Sequence, residues 1–216
     1  MKSQTLSYRP GSGWSAAFPA LDSPSTLVMI SAAPVHARRT AAIEAVLTAF
    51  PTSMVIGCAA VDDALAPLSV GILAFESTLL LEAVAHVAHP EDSRRAGLAV
   101  AETLDRTELA AALVLAAGPA VDGSALACGV TDVLGTTTAV SSRFDRAWVL
   151  AGGQTSTSAV VAVGLYGRAL DVSRLNVQPP ALQPADQTFR DVVGLTAIAE
   201  RSTVRPAATY GLTRAS

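Results

Sequence analysis

The sequence predicts an α/β (α+β) fold of two similar β-α-β-β-β-α halves, in which mixed β-sheets are covered by helices. Three observations lead to this class. Of the 216 residues, 50% are hydrophobic and 15% are charged, so most strands must be buried on both faces. Uninterrupted apolar runs alternate along the chain with segments of helical spacing. The order of these runs in the first half recurs in the second, which indicates an internal repeat.

The expected organisation is a single domain over residues 26–216, preceded by an N-terminal segment, residues 1–25. The domain is composed of two internal repeats at about 26–104 and 112–200. Neither repeat is expected to bury its own apolar sheet, so the two repeats must pack together. We expect two mixed sheets, face to face or merged, with helices on the outside.

The N-terminal segment contains a pattern with helical spacing. Trp14, Phe18 and Leu21 fall at i, i+4 and i+7. This spacing predicts a short amphipathic helix over residues 13–21.

The first repeat begins with TLVMISAAP, residues 26–34, an uninterrupted apolar run that predicts a buried strand. A helix is expected from Arg38 to Phe50, and Pro51 ends it. Two residues, Ser77 and Thr78, separate the last two strands of this repeat, which predicts a hairpin. The strands after the first helix are expected over residues 54–60, 69–76 and 79–87, and the second helix over 92–104.

The second repeat begins with AALVLAAGP, residues 111–119, which matches the first strand of the first repeat. A helix is expected over residues 122–135, with Asp122 as its N-cap and Gly135 at its C-terminal end. Strands are expected over residues 136–142, 159–167 and 169–177, and a final helix over 191–200.

Charge and composition exclude some classes of function. The net charge is −3 and aromatic residues make up 5% of the chain. Nucleic-acid binding needs a cationic face and commonly aromatic stacking platforms, so we expect no nucleic-acid partner. The longest uncharged run, residues 147–167, is interrupted by the polar stretch QTSTS. A membrane span needs about 20 predominantly apolar residues, so no membrane association is expected.

The cysteines and the N-terminus indicate the compartment. Cys58 and Cys128 are too few for a disulfide framework and lack zinc-site spacing. The start, MKSQTLSYRPGSG, has no apolar region typical of a secretory signal. We therefore expect reduced thiols and a cytoplasmic location.

Several of these segments together resemble the FIST N-terminal domain, named for F-box and intracellular signal transduction. The matching segments are Leu27-Val28, Val55-Ile56-Gly57-Cys58 and Ala159 to Leu165, with Trp14 before them. The resemblance extends from Trp14 to Val177. It implies a sensory or small-ligand-binding role, with an amino acid or a similar metabolite as the ligand, and no established catalysis.

This chain departs from the family pattern at three points. Ala59, Ala60 and Val61 follow Cys58, where members carry Ser and then Gly. Gly152-Gly153 comes later than the Gly-Gly loop of the family. Many members continue into a FIST C-terminal domain, which we expect this copy to lack.

The resemblance directs attention to small residues at the strand ends and to the double glycine. The candidate ligand-binding residues are Gly57, Cys58, Ala59, Ser141, Ser142, Gly152 and Gly153. The segment from Gly152 to Ser156 resembles a polar turn that could contact a phosphate or carboxylate, but it lacks a P-loop lysine. A hairpin tip between two strands is the favoured interpretation.

Cys58 has three interpretations: a nucleophile, a residue that lines a pocket, or a small buried hydrophobe. A nucleophilic thiolate needs a neighbouring cation, helix N-terminus or base. The local sequence offers none, and Asp62 and Asp63 disfavour a thiolate. Burial is therefore favoured, and Asp62-Asp63 is expected to be a solvated loop.

The segment HVAHPED contains residue types that bind metals, but its spacing argues against a metal site. On a strand, His86 and His89 point to opposite faces, and Pro90 excludes a continuous helix. We expect neither a metal nor a cofactor. His36 is expected in a loop, and the arginine pairs 38–39 and 94–95 on solvated helix faces.

Three functions are weighed on this basis. The first is a FIST-type sensory module that binds a small molecule and acts through partner proteins. The second is a non-catalytic interaction or structural domain, with a protein partner or a homodimer. The third is a Cys-dependent enzyme, for which no catalytic constellation can be assembled. We expect no enzymatic activity.

Overall fold

The computed structural model describes residues 1–34, 40–59, 68–135, 139–168, 170–174 and 195–200, with backbone alone over 139–145, 171–174 and 195–200. Its α-helices are α1 (Ala41–Ala49), α2 (Ser93–Leu104) and α3 (Gly123–Leu134), and a 3₁₀ turn (Pro90–Asp92) precedes α2. Its strands are β1 (Lys2–Arg9), β2 (Gly13–Trp14), β3 (Thr26–Ala32), β4 (Met54–Ala59), β5 (Leu68–Ala74), β6 (Leu79–His86), β7 (Leu109–Ala117), β8 (Ala139–Arg146), β9 (Val149–Ala151), β10 (Gln154–Ser156), β11 (Ala159–Tyr166), β12 (Leu170–Arg174) and β13 (Leu195–Glu200).

The strands form two large mixed sheets and one small one. Sheet A has the order β10-β9-β4-β3-β5-β1-β2, and sheet B has the order β6-β11-β7-β8. In sheet A, β3 is parallel to β4 and antiparallel to β5. In sheet B, β7 is likewise parallel to β8 and antiparallel to β11. Strands β12 and β13 pair with each other. The α/β (α+β) class predicted from the sequence is therefore correct.

The two large sheets pack face to face, with the helices on their outer faces. Alternate residues of β3 show this: Leu27 and Met29 lie in a core shared with β7 and β11, whereas Val28 and Ile30 lie in a core shared with α1. The outer face of sheet B packs on α2 and α3. Since both faces of the central strands are covered, their sequences are uninterrupted apolar runs. Every residue of β11 is buried.

The two halves of the chain exchange strands at one edge. Strand β6 follows β5 in the chain, yet it pairs with β11 in sheet B. Conversely, the hairpin formed by β9 and β10 comes from the second half and joins sheet A beside β4. The predicted β5–β6 hairpin is therefore wrong: residues 77 and 78 connect two different sheets. The division into two internal repeats stays a prediction, with the order β4-β3-β5 matched by β8-β7-β11 in its favour.

Two of the predicted helices are not helical in the residues that the structure describes. The segment 13–21 contains the short strand β2 and no helix, and β2 pairs with β1 around a turn in which Gly11 has a positive φ. Trp14 instead packs its ring at a tilt against Tyr8 and edge-to-face against Phe18, with ring centroids 5.2 and 4.8 Å apart, and the cluster is partly buried. Residues 195–200 form strand β13, not a helix.

The helix at residues 123–134 follows the prediction closely. Asp122 is its N-cap, because the side chain accepts hydrogen bonds from the backbone N–H groups of Ser124 and Ala125 at 2.9 and 3.0 Å. Such a cap satisfies donors that the first helical turn leaves without partners. Gly135 ends the helix with a positive φ of 66°.

Helices α2 and α3 approach each other at two glycines. A Cβ atom on Gly97 would collide with the carbonyl oxygen of Leu126, and one on Gly129 with the carbonyl oxygen of Arg94. The two glycines thus let the helix backbones touch. At the exposed rim of this contact, the Arg94 side chain donates to Asp132 at 2.6 Å, and both Arg94 and Arg95 are exposed, as predicted.

Candidate functional site

A groove lies at the edge where the strands are exchanged, between β6 of sheet B and the β9–β10 hairpin of sheet A. We call it the edge groove. It consists of two adjacent pockets of about 530 and 500 Å³ that share Glu82 and Gly152. The first is lined by Pro24, Leu47, Phe50, Pro51, Thr52, Ser53, Met54, Val55, Leu80, Glu82, Gly152 and Gly153. The second is lined by Glu82, Val84, Ala85, His86, Val149, Ala151, Gly152, Gln154, Thr155, Ser156, Ala159 and Val161.

The alternation of β6 determines which of its side chains face the groove. Leu80, Glu82, Val84 and His86 share one face of the strand, and Leu80 at its start lies in the core between the sheets. Further along, the neighbouring sheet no longer covers this face, and Val84 is 56% exposed. The opposite face packs on the helices. A charged residue can therefore occupy position 82 within an otherwise apolar strand.

Glu82 lies in the middle of the groove. Burial raises the pKa of its carboxyl group above the ordinary value, and a hydrogen bond from the backbone N–H of Gly152 partly opposes this. Its neighbour across the sheet, Val163, is fully buried. Partial burial disfavours the charged form of a carboxyl group. A ligand that supplies a compensating charge or hydrogen bond would relieve that cost.

The double glycine forms the tip of the β9–β10 hairpin, as predicted. Ala151 pairs with Gln154, so Gly152 and Gly153 are the two residues of the turn. Their φ angles are 52° and 74°. Two-residue turns with positive φ at both positions match the twist of the strands and favour glycine. The turn places the Gly152 N–H against Glu82.

A short loop after α1 forms the other side of the first pocket. Asp22 fixes this loop by accepting four hydrogen bonds, from the backbone N–H and hydroxyl groups of Thr52 and Ser53, at 2.7–3.1 Å. Burial acts to raise the pKa of Asp22, but the hydrogen bonds from Ser53 and Thr52 outweigh it and hold that pKa below its usual range. Asp22 therefore positions the pocket wall.

His86 lies at the far end of the groove. Its ring nitrogens are 3.3 and 3.5 Å from the Ser158 hydroxyl, and the tautomer decides which atom donates. His89, three residues later, is the N-cap of the 3₁₀ turn and belongs to a different element. Within the described ranges, no three His, Cys, Asp or Glu side chains are grouped as metal ligands would be.

The structure separates the predicted ligand-binding residues into different places. Gly152 and Gly153 line the edge groove. Cys58 is fully buried in the core between the sheets, and Ala59 packs in the core beneath α1. Neither residue lines the two pockets of the groove.

The remaining predicted ligand-binding residues lie away from the edge groove or have side chains outside the described residues. Gly57 is an interior residue of β4. The backbones of Ser141 and Ser142 pair with Leu113 and Val114 of β7, and their side chains lie outside the described residues. Also outside are His36, Arg38, Arg39, Asp62 and Asp63. The site formed by Gly57, Cys58, Ala59, Ser141 and Ser142 stays a prediction.

Sequence reasoning did not single out Glu82, which lines both pockets of the groove. The signal was present, since Glu82 is the single charged residue in the run LLLEAVAHV. A charged residue in a strand that is otherwise apolar indicates that the strand leaves the core on one face at that point.

The two cysteines provide a direct measurement of burial. Cys58 is buried and Cys128 is exposed on α3. In the folded protein we expect a thiol reagent to label Cys128 within the mixing time of an ordinary assay, whereas Cys58 reacts on the timescale of unfolding. Mass spectrometry after proteolysis distinguishes the two sites. Equally fast labelling of both cysteines would show that Cys58 is accessible and would revive the interpretation as a nucleophile.

Replacement of Glu82 by glutamine is expected to change how stability depends on pH. Because the pKa of Glu82 is raised by folding, its carboxylate destabilises the folded state once the pH rises above the unfolded pKa of about 4.3. Glu82→Gln keeps an oxygen for the Gly152 N–H, so the variant should be slightly more stable near pH 7. For a half-buried group we expect less than about 1 kcal/mol.

Urea unfolding at several pH values tests this expectation. Between about pH 4 and 7, the gain in stability from Glu82→Gln should increase with pH. Glu102→Gln, at an exposed position of α2, is the matched control, and the trend in Glu82→Gln should exceed the trend in this control. A loss of stability in Glu82→Gln near neutral pH would mean that the carboxylate is stabilised by contacts stronger than the one described.

Comparison with models of protein families gives a match. The model of a family described as the FIST N domain matches residues 26–179, which is well over half of the chain. The search of curated proteins found no match to the chain. None of the helices in the described part of the chain is long and apolar enough to span a membrane.

Proposed function

Because the chain belongs to the FIST N domain family of signalling and sensory domains, we propose that it is a sensory module whose ligand binds in the edge groove. The ligand class is a small metabolite, such as an amino acid. One observation carries the proposal: two pockets of about 530 and 500 Å³ meet at a half-buried carboxyl group. Sites for small molecules are commonly concave, largely apolar and furnished with a few polar groups.

The lining residues support binding of a ligand with an apolar part. Leu80 and Val161 come from sheet B, and Met54 and Val149 from sheet A. Among the described residues, the polar lining side chains are Glu82, His86, those of the loop at residues 52–53, and those of the segment from Gln154 to Ser156. The groove is therefore bordered by strands of both sheets, by the β9–β10 hairpin and by one loop.

A thermal-shift screen with amino acids and other metabolites tests the proposal. A ligand that binds the folded state raises the melting temperature by mass action. The same screen is run on Gln154→Trp, which introduces a bulky ring at an exposed position that lines the groove. Ala147→Trp, at an exposed position that lines neither pocket, is the control. The proposal predicts a ligand whose stabilising effect is lost in Gln154→Trp and kept in Ala147→Trp.

An interaction domain is the second candidate, because two large apolar side chains on β6 are exposed. Leu79 is 62% exposed and Val84 is 56% exposed. Strand β6 is an edge strand of sheet B, and a strand of another chain can pair with such an edge. Light scattering at micromolar concentration separates the two candidates. A mass twice that of the 22.0 kDa chain, reduced by Val84→Lys, would favour interaction.

A further inference from the structure

The charged groups in and behind the edge groove are acidic. Among its described lining residues, Glu82 is the one with an acidic side chain, and His86 is the one with a basic side chain. No lysine or arginine is among the described residues that line either pocket. A second carboxylate, that of Asp22, lies behind the wall of the first pocket, where it accepts hydrogen bonds from the hydroxyl groups of Thr52 and Ser53. The electrostatic environment of the groove therefore favours a cationic ligand group over an anionic one.

Glu82 has unused capacity to accept hydrogen bonds. A carboxylate offers about four lone-pair sites, and the described contact on Glu82 is the one from the Gly152 N–H. No ion pair between described residues includes Glu82. An ammonium group carries three donors and no acceptor, so it fits the remaining sites. Charge-assisted hydrogen bonds of this kind are stronger than neutral ones.

The groove is poorly equipped to bind a carboxylate. Thr52 and Ser53 could have donated from their hydroxyl groups, but these hydroxyls donate to Asp22 at 2.8 and 2.7 Å. The N–H of Gly152 is directed at Glu82. These three donors are therefore already engaged. A ligand carboxylate beside them would lie near Glu82, with no lysine or arginine among the described lining residues to offset the repulsion.

We infer that the edge groove selects a cationic primary amine, whose ammonium group binds Glu82 and whose apolar body lies against the side chains of β6, β9 and β11. This inference rests on the proposed ligand-binding function and narrows its ligand class. Val84, Val149 and Val161 supply apolar surface on one side of Glu82. Leu80 and Met54 supply it on the other. An amine without a carboxylate fits better than a zwitterionic amino acid.

Calorimetric titration with four ligands of similar size tests the inference. The probes are hexylamine, 1-hexanol, hexanoate and norleucine, which present a cation, a neutral group, an anion and a zwitterion. We expect hexylamine to bind most tightly. In Glu82→Gln its affinity should fall by roughly 10- to 100-fold, the amount expected from one charge-assisted hydrogen bond, and should approach that of hexanol. Ala147→Trp should bind hexylamine like the unmodified protein.

The pH dependence gives a second readout. Binding of the ammonium requires an ionised Glu82, so hexylamine affinity should fall as the pH drops through the raised pKa of that carboxyl group. Glu82→Gln should abolish this dependence. His86 lines the same groove, so His86→Gln is included and should keep the dependence on Glu82.

The outcomes separate this inference from the proposed function. Tightest binding by hexanoate or norleucine, equal hexylamine affinity in Glu82→Gln, or no measurable hexylamine binding would each overturn the amine selectivity. If another metabolite then binds and is blocked by Gln154→Trp, the sensory function in the groove stands with a different ligand. If no compound binds in a manner that Gln154→Trp blocks, the proposed function fails as well.

Discussion

Replacement of Trp148 by alanine is expected to lower the free energy of unfolding by about 3–5 kcal/mol, the range for truncating a large buried aromatic residue. Trp148 follows β8 and is fully buried in the core beneath α1. Its indole N–H donates to the carbonyl oxygen of Ala33 at 3.3 Å. The variant thus leaves a cavity and also a buried carbonyl group that has lost this donor. Urea unfolding followed by circular dichroism measures the loss.

Two variants show whether the cost arises from burial. Trp148→Phe retains most of the apolar contact and loses the hydrogen bond, so it should cost about 1–2 kcal/mol. Trp14→Ala removes the same residue type from a partly buried position in the surface cluster with Tyr8 and Phe18, and should cost less than Trp148→Ala. Similar losses for both alanine variants would contradict the position of Trp148 in the core.

Replacement of Gly129 by alanine is expected to destabilise the protein by about 3 kcal/mol, near the upper end of the range for an overpacked site. An added methyl group would collide with the carbonyl oxygen of Arg94 and lie 2.9 Å from the backbone nitrogen of Leu98. Both are backbone atoms, so no rotamer change relieves the collision. The helices α2 and α3 would have to move apart, which opens the outer face of sheet B.

Helix propensity alone predicts the opposite sign. Alanine is favoured over glycine within a helix by about 1 kcal/mol, so a stabilised Gly129→Ala would show that the helices do not touch there. Thr131→Ala, at an exposed position of α3, is the matched control and should change the free energy of unfolding by less than about 0.5 kcal/mol. Thermal unfolding of the two variants beside the unmodified protein decides between the two expectations.

The sequence was sufficient for the elements that lie in the core. Strands β3, β7 and β11 are covered on both faces, and this environment requires the uninterrupted apolar runs from which they were predicted. Helix α3 was predicted to within a residue because Asp122 and Gly135 are local capping signals. For these elements, the local sequence is enough to predict the secondary structure.

The partners of the strands could not be predicted in the same way. The apolar sequence of β6 would suit a place beside β5 as well as one beside β11, so it does not identify the sheet that the strand joins. The spacing of Trp14, Phe18 and Leu21 suits a helix, but the glycines at 11 and 13 adopt positive φ angles that lead into β2. Tertiary contacts decided both cases.

The edge groove was predicted in part. Gly152 and Gly153 were identified as ligand-binding candidates and as a hairpin tip, since a double glycine is a local turn signal. Glu82 was not, because its position opposite that turn depends on β6 leaving its own half. A site between two strands that are 70 residues apart in the chain becomes visible once the sheets are assembled.

The exchange of strands between the halves bears on how the chain folds during synthesis. In chain order, the strands of sheet A run from β1, which begins at residue 2, to β10, which ends at residue 156. Sheet B cannot be completed before β11 at residues 159–166. More than 150 residues must therefore leave the ribosome before either sheet is complete. Until then, many apolar strands lack their neighbours in the sheet. Chains rich in such distant pairings fold slowly and are prone to aggregate meanwhile. Once closed, each sheet contains a part of the other half, so we expect the two to unfold together in a single cooperative transition.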